Sequence, residues 1–222
     1  HWATQVSPVR FRYMGKIKGV NTQALEGVPT LDNSGTLYFV SPRHYKKTLS
    51  TIYRARFDAG RATNVELAKG LSLNQFGMLN FDIEISPDGK HLYGVDGRFT
   101  GGAVPKSANM FVARRVADGF ERLTDSDAIM ANVNTSALEY AAAISSDGLE
   151  LFFTRMSGVL FWRKLTIERS TRQSMEEPFG TSQTVKAIDG FVEGPTLSGD
   201  GKSLYYHRKV DDMYRIYRVT RP

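Results

Sequence analysis

The sequence contains no cysteine and only four histidines in 222 residues. The absence of cysteine excludes a disulfide framework and any thiolate metal site. No apolar run approaches the roughly 18 residues that a membrane-spanning helix needs, so a membrane-spanning protein is not expected. No run of Lys and Arg is long enough for a nucleic-acid-binding arm. Specific nucleic-acid binding is therefore not expected either.

The composition of the chain indicates a globular domain with a basic surface. Hydrophobic residues make up 41% of the chain and aromatic residues 11%, which is enough for a packed core. The formal net charge of +6 favours attraction to polyanions. A basic surface that only keeps the protein in solution is the alternative.

One stretch of sequence occurs four times. Each copy has a short apolar segment, a turn with glycine, and then Leu followed by an aromatic residue. The copies are 29–41, 83–96, 142–155 and 195–208, with turn glycines Gly35, Gly89, Gly148 and Gly201. Glycine tolerates the positive φ of a tight hairpin turn, so each copy predicts a β-hairpin. Recurrence of the aromatic residue at one register predicts packing between repeats. These aromatics are Tyr38, Tyr93, Phe152 and Tyr205.

Further strands follow each hairpin. Third strands are predicted at 51–57, 109–116, 159–165 and 214–221, and weaker fourth strands around 64–68, 120–123 and 183–187. Four antiparallel strands in each repeat of about 55 residues are typical of a β-propeller blade.

The predicted fold is therefore all-β: a single β-propeller domain over 1–222, with four blades of four antiparallel strands. The blade cores are predicted at 26–70, 80–125, 138–187 and 191–222. The last repeat lacks a fourth strand, and the segment 10–17 is expected to supply it and close the ring, which removes an exposed sheet edge. The alternative is that the chain is part of a six- or seven-bladed ring.

The sequence resembles the TolB-like, WD-repeat-like β-propeller family of bacteria. The resemblance is carried by Ser86-Pro87-Asp88-Gly89 with Leu92-Tyr93, and by the stretch 178–208, which is similar to the family's blade-to-blade linker. It implies a propeller, which in this family is often located in the periplasm, in the envelope or outside the cell and is often a binding platform. It implies no one activity, since propellers host many functions.

An acidic residue stands at the head of each first strand, where it is expected to face one mouth of the central channel. The four acids are Glu26, Asp82, Glu139 and Glu193. Four like charges need compensation. Arginines at the ends of the second strands are one source, because a guanidinium pairs with a carboxylate in two-point geometry. These are Arg43, Arg98, Arg155 and Arg208. A calcium, magnesium or sodium ion held by the four acids is the second possibility, and a functional acid site is the third.

The same face carries long loops with basic and aromatic residues, at 41–50, 97–109 and 207–215, in which His44 and His207 also lie. The leading hypothesis is a non-enzymatic binding module, with a polar ligand (a glycan, a peptide or a protein partner) bound by the acids, the arginines and the two histidines of this face. No cofactor is expected apart from the channel ion. The alternative is a carbohydrate-active hydrolase or lyase that uses two of the acids, about 5–10 Å apart.

Overall fold

The structure is a computed structural model and describes residues 1–7, 9–158 and 162–221. The described chain is almost entirely strand and turn, with two helices of four residues each. The strands are β1 (Trp2–Ser7), β2 (Arg10–Gly15), β3 (Gly27–Leu31), β4 (Thr36–Val40), β5 (Ile52–Asp58), β6 (Arg61–Leu67), β7 (Met78–Ile85), β8 (His91–Arg98), β9 (Ser107–Val116), β10 (Gly119–Arg122), β11 (Leu138–Ile144), β12 (Glu150–Ser157), β13 (Lys164–Thr171), β14 (Gln183–Thr184), β15 (Phe191–Leu197), β16 (Ser203–Val210) and β17 (Met213–Thr220). The helices are α1 (Tyr45–Thr48) and α2 (Ser126–Ile129). The predicted all-β class is confirmed.

The strands form successive antiparallel sheets, which we call blades. Blade 1 contains β3 to β6, blade 2 contains β7 to β10, blade 3 contains β11 to β14, and blade 4 contains β15 to β17. A single parallel bridge between Ala108 and Leu138 joins blades 2 and 3. Neighbouring blades pack face to face through three clusters of buried apolar side chains, and a fourth cluster joins blade 1 to the segment that precedes it.

The repeated stretch forms the hairpin tips, as predicted. In blade 2, the N–H of Gly89 donates to the carbonyl of Ser86 at 2.7 Å, and Gly89 has a φ of +71°. The carboxylate of Asp88 accepts from the Ser86 hydroxyl at 2.6 Å and from the Lys90 N–H at 3.0 Å. The Ser-Pro-Asp-Gly segment is thus a self-contained turn, and its role is structural.

Of the repeated aromatic residues, Tyr38, Tyr93 and Phe152 pack between blades, whereas Tyr205 packs against Phe11 of β2. Arginines from the following blade hold Tyr38 and Tyr93. Arg115 of blade 2 donates to the hydroxyl of Tyr38 in blade 1, and Arg172 of blade 3 donates to the hydroxyl of Tyr93 in blade 2 at 3.1 Å. Arg172 also lies over the ring of Phe179, 4.4 Å from its centroid. These inter-blade arginines were not predicted from the sequence.

The prediction that the segment 10–17 closes the ring is wrong. β2 pairs with β1 in a separate hairpin, and among the described strands β17 pairs only with β16. The hairpin lies against both ends of the chain of blades: Trp2 packs edge-on against Phe57 of blade 1, and Phe11 packs edge-on against Tyr205 of blade 4. Pairing with the adjacent β1 closes a much shorter loop than pairing with β17, and therefore costs less chain entropy.

The third strand of blade 3 also differs from its prediction. Residues 159–161 of the predicted strand 159–165 lie outside the described residues, and β13 runs from Lys164 to Thr171. Leu165 and Ile167 alternate with more exposed positions along β13 and are buried. The described part of the strand thus begins at Lys164 and continues six residues beyond the predicted end.

Candidate functional site

Glu139 is held at the start of β11 by a set of hydrogen bonds that we call a clamp. Its carboxylate is fully buried and accepts from Arg155 Nε at 2.8 Å. The N–H and hydroxyl of Thr135 donate to the same carboxylate at 3.1 and 2.6 Å. Arg155 also donates to the carbonyl of Val133 at 2.9 Å. The predicted Glu139–Arg155 pair therefore forms and fixes the chain that enters blade 3.

Blade 1 contains the same clamp around Glu26. Arg43 Nη2 lies 3.4 Å from the Glu26 carboxylate and donates to the carbonyl of Val20 at 3.1 Å. The N–H and hydroxyl of Thr22 donate to Glu26 at 2.9 and 2.6 Å. Burial raises the pKa of Glu26, but the hydrogen bonds from Thr22 and the charge of Arg43 outweigh it and leave the pKa below its usual value. Glu26 is thus a bound anion.

Both clamps come from one motif, Val-Asn-Thr-x-Ala-Leu-Glu, at 20–26 and 133–139. This second repeat is visible in the sequence, but it is independent of the repeat marked by the turn glycines and was not predicted as a site. In both copies the threonine hydroxyl also accepts from the alanine N–H two residues later. The motif occurs in blades 1 and 3 but not in blades 2 and 4.

Blade 2 has a different pair at the position of the clamp. A β-bulge falls between Asn80 and Asp82, and Asn80 lies opposite Asp96 as Glu139 lies opposite Arg155. Asn80 Nδ2 donates to Asp96 Oδ1 at 2.8 Å, and Arg122 pairs with Asp96. The register of the acid in blade 2 was therefore mispredicted, because the matching residue is an amide.

The expected Asp82–Arg98 pair does not form. Arg98 is exposed and has no ion pair with any residue in the described ranges. Asp82 is 6% exposed and accepts from the N–H of Ile83 at 3.0 Å. Burial raises the pKa of Asp82 to about 8, the Ile83 N–H offsets part of this, and the negative charges of Glu84 and Glu193 add to it.

Glu84, two residues after Asp82 in β7, is a further buried carboxyl group that was not predicted from the sequence. It accepts from the hydroxyl of Thr30 in blade 1 at 2.7 Å. Burial raises the pKa of Glu84 to about 7, against the opposing effect of this hydrogen bond. With a pKa of about 8, Asp82 is mostly protonated at pH 7, and Glu84, with a pKa of about 7, is close to half protonated, while Glu26 is ionised.

Glu193 of blade 4 is bound by a tyrosine in place of an arginine. The Tyr140 hydroxyl donates to Glu193 at 3.0 Å. Burial, and then the charge of Glu193, raise the pKa of Tyr140. Arg208 instead pairs with Asp189 at 2.9 Å, and His207 lies opposite Glu193 in the β15–β16 ladder.

Of the four predicted acids, Glu26 and Glu139 each lie in a clamp of their own, whereas Asp82 and Glu193 are close enough for the charge of Glu193 to raise the pKa of Asp82. The part of the chain that the structure describes has no group of three or more His, Asp or Glu side chains arranged to hold a metal ion. His44 is exposed at the residue before α1, in blade 1, and His207 lies in blade 4. A channel ion bound by Glu26, Asp82, Glu139 and Glu193 stays a prediction.

The charge that remains uncompensated at this end of the blades is positive. The segments 41–50, 98–107 and 158–164, which join second to third strands in blades 1 to 3, contain no Asp or Glu. Their cations are Arg43, Lys46, Lys47, Arg98, Lys106, Arg163 and Lys164. Of these, only Arg43 forms an ion pair with a described residue.

Two of these cations line one groove between the loops of blades 2 and 3. The groove has a volume of about 540 Å³, and Lys106 and Arg163 lie on its wall with the hydroxyl side chains Ser136 and Ser157. Its apolar wall includes Pro105, Leu138 and Met156. No carboxylate is among the described lining residues. Trp162, next to Arg163, is 85% exposed.

No protein-family model matches the sequence, and no curated protein matches it. Solved structures do. A protein from Agrobacterium tumefaciens described as a TolB matches with a TM-score of 0.54 and 20% identity, over 90% of this chain and 59% of that one. The Dos1 propeller matches with a TM-score of 0.48 and 8% identity, over 86% of this chain and 44% of that one. A puromycin-hydrolysing peptidase from Mycobacterium tuberculosis matches with a TM-score of 0.47 and 12% identity, over 89% of this chain and 37% of that one.

The chain therefore spans 59% of the Agrobacterium protein and less than half of the other two. At this level of identity the likeness concerns the fold. No helix in the described ranges has the length and apolar character needed to cross a membrane.

Proposed function

We propose that this chain, which has a TolB-like β-propeller fold, is a non-enzymatic binding module for an acidic polypeptide segment. The observation that supports this most strongly is the groove between blades 2 and 3, whose lining contains Lys106 and Arg163 and no described carboxylate. The identity of the partner, and any activity of a larger assembly that contains this module, are part of the same proposal.

The positive charge of the groove favours an anionic ligand. Glu26, Glu139 and Asp96 are each paired with an arginine that does not line the groove, so they do not neutralise Lys106 and Arg163. An Asp or Glu side chain of the ligand forms charge-assisted hydrogen bonds with Lys106 and Arg163. The apolar wall of the groove packs against the aliphatic parts of the ligand, and the exposed ring of Trp162 offers a further contact.

A polypeptide fits this site better than a neutral glycan does. Sugar hydroxyl groups are hydrogen-bond donors that need acceptors, and carboxylates are the strongest acceptors among side chains. The carboxylates of Glu26 and Glu139 are already saturated by threonine and arginine donors. An acidic peptide needs cations and apolar contact, and both are present in the groove.

The alternative function, a carbohydrate-active hydrolase or lyase, has one specific observation in its favour. Asp82 and Glu84 have pKa values raised to about 8 and about 7, which is a property of general acids. Against it, Asp82 is 6% exposed, and the clamped Glu26 and Glu139 cannot move to a substrate without breaking ion pairs. Turnover of a glycoside that is lost in Glu84→Gln would establish the hydrolase and refute the binding module.

The test of the binding module is fluorescence anisotropy with a labelled oligoglutamate peptide at low and moderate salt. The double variant Lys106→Glu/Arg163→Glu is expected to abolish binding. Lys90→Glu/Lys202→Glu is the matched control, because it makes the same change in net charge at the hairpin tips of blades 2 and 4. Equal losses in the two variants would show attraction by net charge alone and would contradict the proposal. A sulfated glycan that binds the groove while oligoglutamate does not would also contradict it.

A location in the periplasm, in the envelope or outside the cell is part of this proposal and is supported by the TolB-like fold. Cell fractionation with an antibody against the chain tests it, and recovery in the cytoplasmic fraction would contradict it.

A further inference from the structure

The three most exposed large apolar side chains of the described chain lie at one end of the blades. They are 75%, 80% and 85% exposed and belong to Leu25, Phe76 and Trp162. Each stands two residues before the start of a strand, namely β3, β7 and β13. The first and third strands of an antiparallel blade run in the same direction, so these three strands begin at the same end. We call the three side chains the apolar tips.

Phe76 is exposed on a loop that is fastened on two sides. The Gly77 N–H donates to the Tyr45 hydroxyl at 2.9 Å, and that hydroxyl donates to the carbonyl of Met78 at 3.1 Å. The Phe99 N–H donates to the carbonyl of Gly77 at 2.8 Å. The loop is therefore tied to α1 and to blade 2, and the centroid of the Phe76 ring lies 6.4 Å from that of Tyr45. The exposure of Phe76 is thus built into the fold.

Leu25 is exposed inside the clamp of blade 1. The Ala24 N–H before it donates to the Thr22 hydroxyl at 3.1 Å, and the Glu26 carboxylate after it accepts from the same hydroxyl at 2.6 Å. The clamp thus fixes the chain on both sides of the leucine and holds its side chain in solvent. Contact of apolar surface with water is unfavourable, so fixed apolar tips indicate a partner with an apolar phase.

Lysines without an ion pair accompany the Phe76 tip. Lys46 and Lys47 directly follow Tyr45 in α1. Both are exposed, and neither forms an ion pair with a residue in the described ranges. The loop of Phe76, residues 68–77, contains no Asp or Glu. The tips and the lysines together are therefore complementary to a surface that is both apolar and anionic.

Blade 4 differs in charge at this end. Its loop between second and third strands contains Asp211 and Asp212, and Asp212 pairs with Lys209 at 2.9 Å. The acid-free loops of this face are thus those of blades 1 to 3, which are also the blades that carry the tips.

A lipid bilayer with anionic headgroups fits this arrangement better than a folded protein partner does. The tips stand on three separate loops, and a protein would need three apolar pockets at matching positions. A bilayer is fluid and accepts apolar side chains at any point of its interface, while lysines contact the headgroup phosphates.

We propose that this face binds the surface of an anionic lipid bilayer. Leu25, Phe76 and Trp162 insert at the boundary between headgroups and acyl chains, and Lys46 and Lys47 lie at the level of the phosphates. Phe76 and the two lysines are not among the described residues that line the groove between blades 2 and 3. The lipid contact is therefore independent of the acidic polypeptide.

The experiment is flotation of the full chain with vesicles of phosphatidylglycerol and phosphatidylcholine, compared with vesicles of phosphatidylcholine alone. Binding to the anionic vesicles is expected, and Phe76→Ser is expected to weaken it at least about tenfold, because a phenyl ring no longer leaves water. Ile216→Ser in β17 is the matched control, because Ile216 is 72% exposed and lies in blade 4. It is expected to change nothing. Phe76→Ser is also expected to leave oligoglutamate binding unchanged.

The fluorescence of Trp162 reports insertion directly. In a Trp2→Phe background Trp162 is the remaining tryptophan. Its emission is expected to shift to the blue on addition of anionic vesicles and to be quenched by brominated acyl chains. An emission maximum that does not change in vesicle-bound protein would show that the tips stay in water, and it would overturn the proposal.

The charge arm compares two double variants of equal net charge. Lys46→Glu/Lys47→Glu is expected to weaken vesicle binding more than about tenfold, and Lys90→Glu/Lys202→Glu, at the hairpin tips, much less. Equal losses, or binding that Phe76→Ser does not affect, would show adsorption by net charge alone and would overturn the proposal. Absence of vesicle binding while oligoglutamate still binds would overturn the lipid contact and leave the groove intact. Loss of oligoglutamate binding in Phe76→Ser, without vesicle binding, would place a polypeptide on the tips and would also overturn it.

Discussion

Arg155 Nε lies 2.8 Å from Glu139 Oε1, and this ion pair is the one predicted pair at the head of a blade in which the carboxylate is fully buried. The same arginine donates to the carbonyl of Val133 and to the hydroxyl of Ser182. One guanidinium thus joins the segment that enters blade 3 to the segment that precedes its last strand.

Loss of this arginine is expected to destabilise the fold strongly. Arg155→Ala leaves Glu139 charged, buried and without its cation, which costs about 3–5 kcal/mol of unfolding free energy. Urea unfolding followed by circular dichroism measures it. Arg43→Ala is the matched variant in blade 1 and is expected to cost less, because the Arg43–Glu26 contact is longer, at 3.4 Å. Equal and small effects in both variants would contradict this prediction, because they would show that the hydrogen bonds from Thr22 and Thr135 are enough to stabilise the two buried carboxylates.

The inter-blade hydrogen bond from Arg172 to Tyr93 predicts a second stability effect. Tyr93→Phe removes the acceptor and leaves a buried guanidinium with one unmade bond, at a cost of about 1–3 kcal/mol. The control is Tyr205→Phe, because the Tyr205 hydroxyl has no hydrogen bond with any residue in the described ranges. A shift in melting temperature in the first variant only is the expected result, and equal shifts would contradict it.

The raised pKa of Asp82 predicts that the unfolding free energy decreases as the pH rises from 3.8 to about 8. Its pKa is raised from 3.8 to about 8 in the folded chain, so between these values the folded protein holds a proton that the unfolded chain has lost. The unfolding free energy therefore decreases with pH across this window. Asp82→Asn is expected to flatten the decline. An unchanged slope in this variant would show that Asp82 titrates in its ordinary range.

The contact between Trp2 and Gly60 predicts how the β1–β2 hairpin is attached to blade 1. Gly60 has a φ of +84°, and a Cβ there would lie 2.4 Å from the Trp2 ring. Gly60→Ala is therefore expected to displace Trp2 and shift its fluorescence to the red, measured in a Trp162→Phe background so that one tryptophan remains. An unchanged emission maximum would contradict this packing.

The sequence predicts the regular part of this fold because that part depends on local patterns. The turn at Gly89 and the buried rings of Tyr38 and Tyr93 follow from a positive φ and from a repeated register. The prediction of ring closure was wrong because a second strand, β1, lies next to β2 in the chain and is its partner in the structure. Periodicity cannot rank two possible partners of one strand.

The site was less predictable than the fold. Asn80 stands nine residues before Gly89, as Glu139 stands nine residues before Gly148. The prediction required an acid at this position, and it therefore fell on Asp82 rather than on the amide that occupies the position of the clamp. The clamps of Glu26 and Glu139 were detectable, because their motif repeats in the sequence. The groove beside Lys106 depends on how the loops of blades 2 and 3 lie against each other, and the spacing of residues in the sequence does not determine this.

The central claim is that an acidic polypeptide binds the groove between blades 2 and 3, and an NMR titration tests it most directly. Oligoglutamate is added to the ¹⁵N-labelled chain, and amide shifts are mapped onto the blades. We predict that the largest shifts fall at Lys106, Ser136, Ser157 and Arg163, which line the groove. Shifts spread over all lysines, shifts centred on the hairpin tips at Lys90 and Lys202, or no shifts at all would contradict the account.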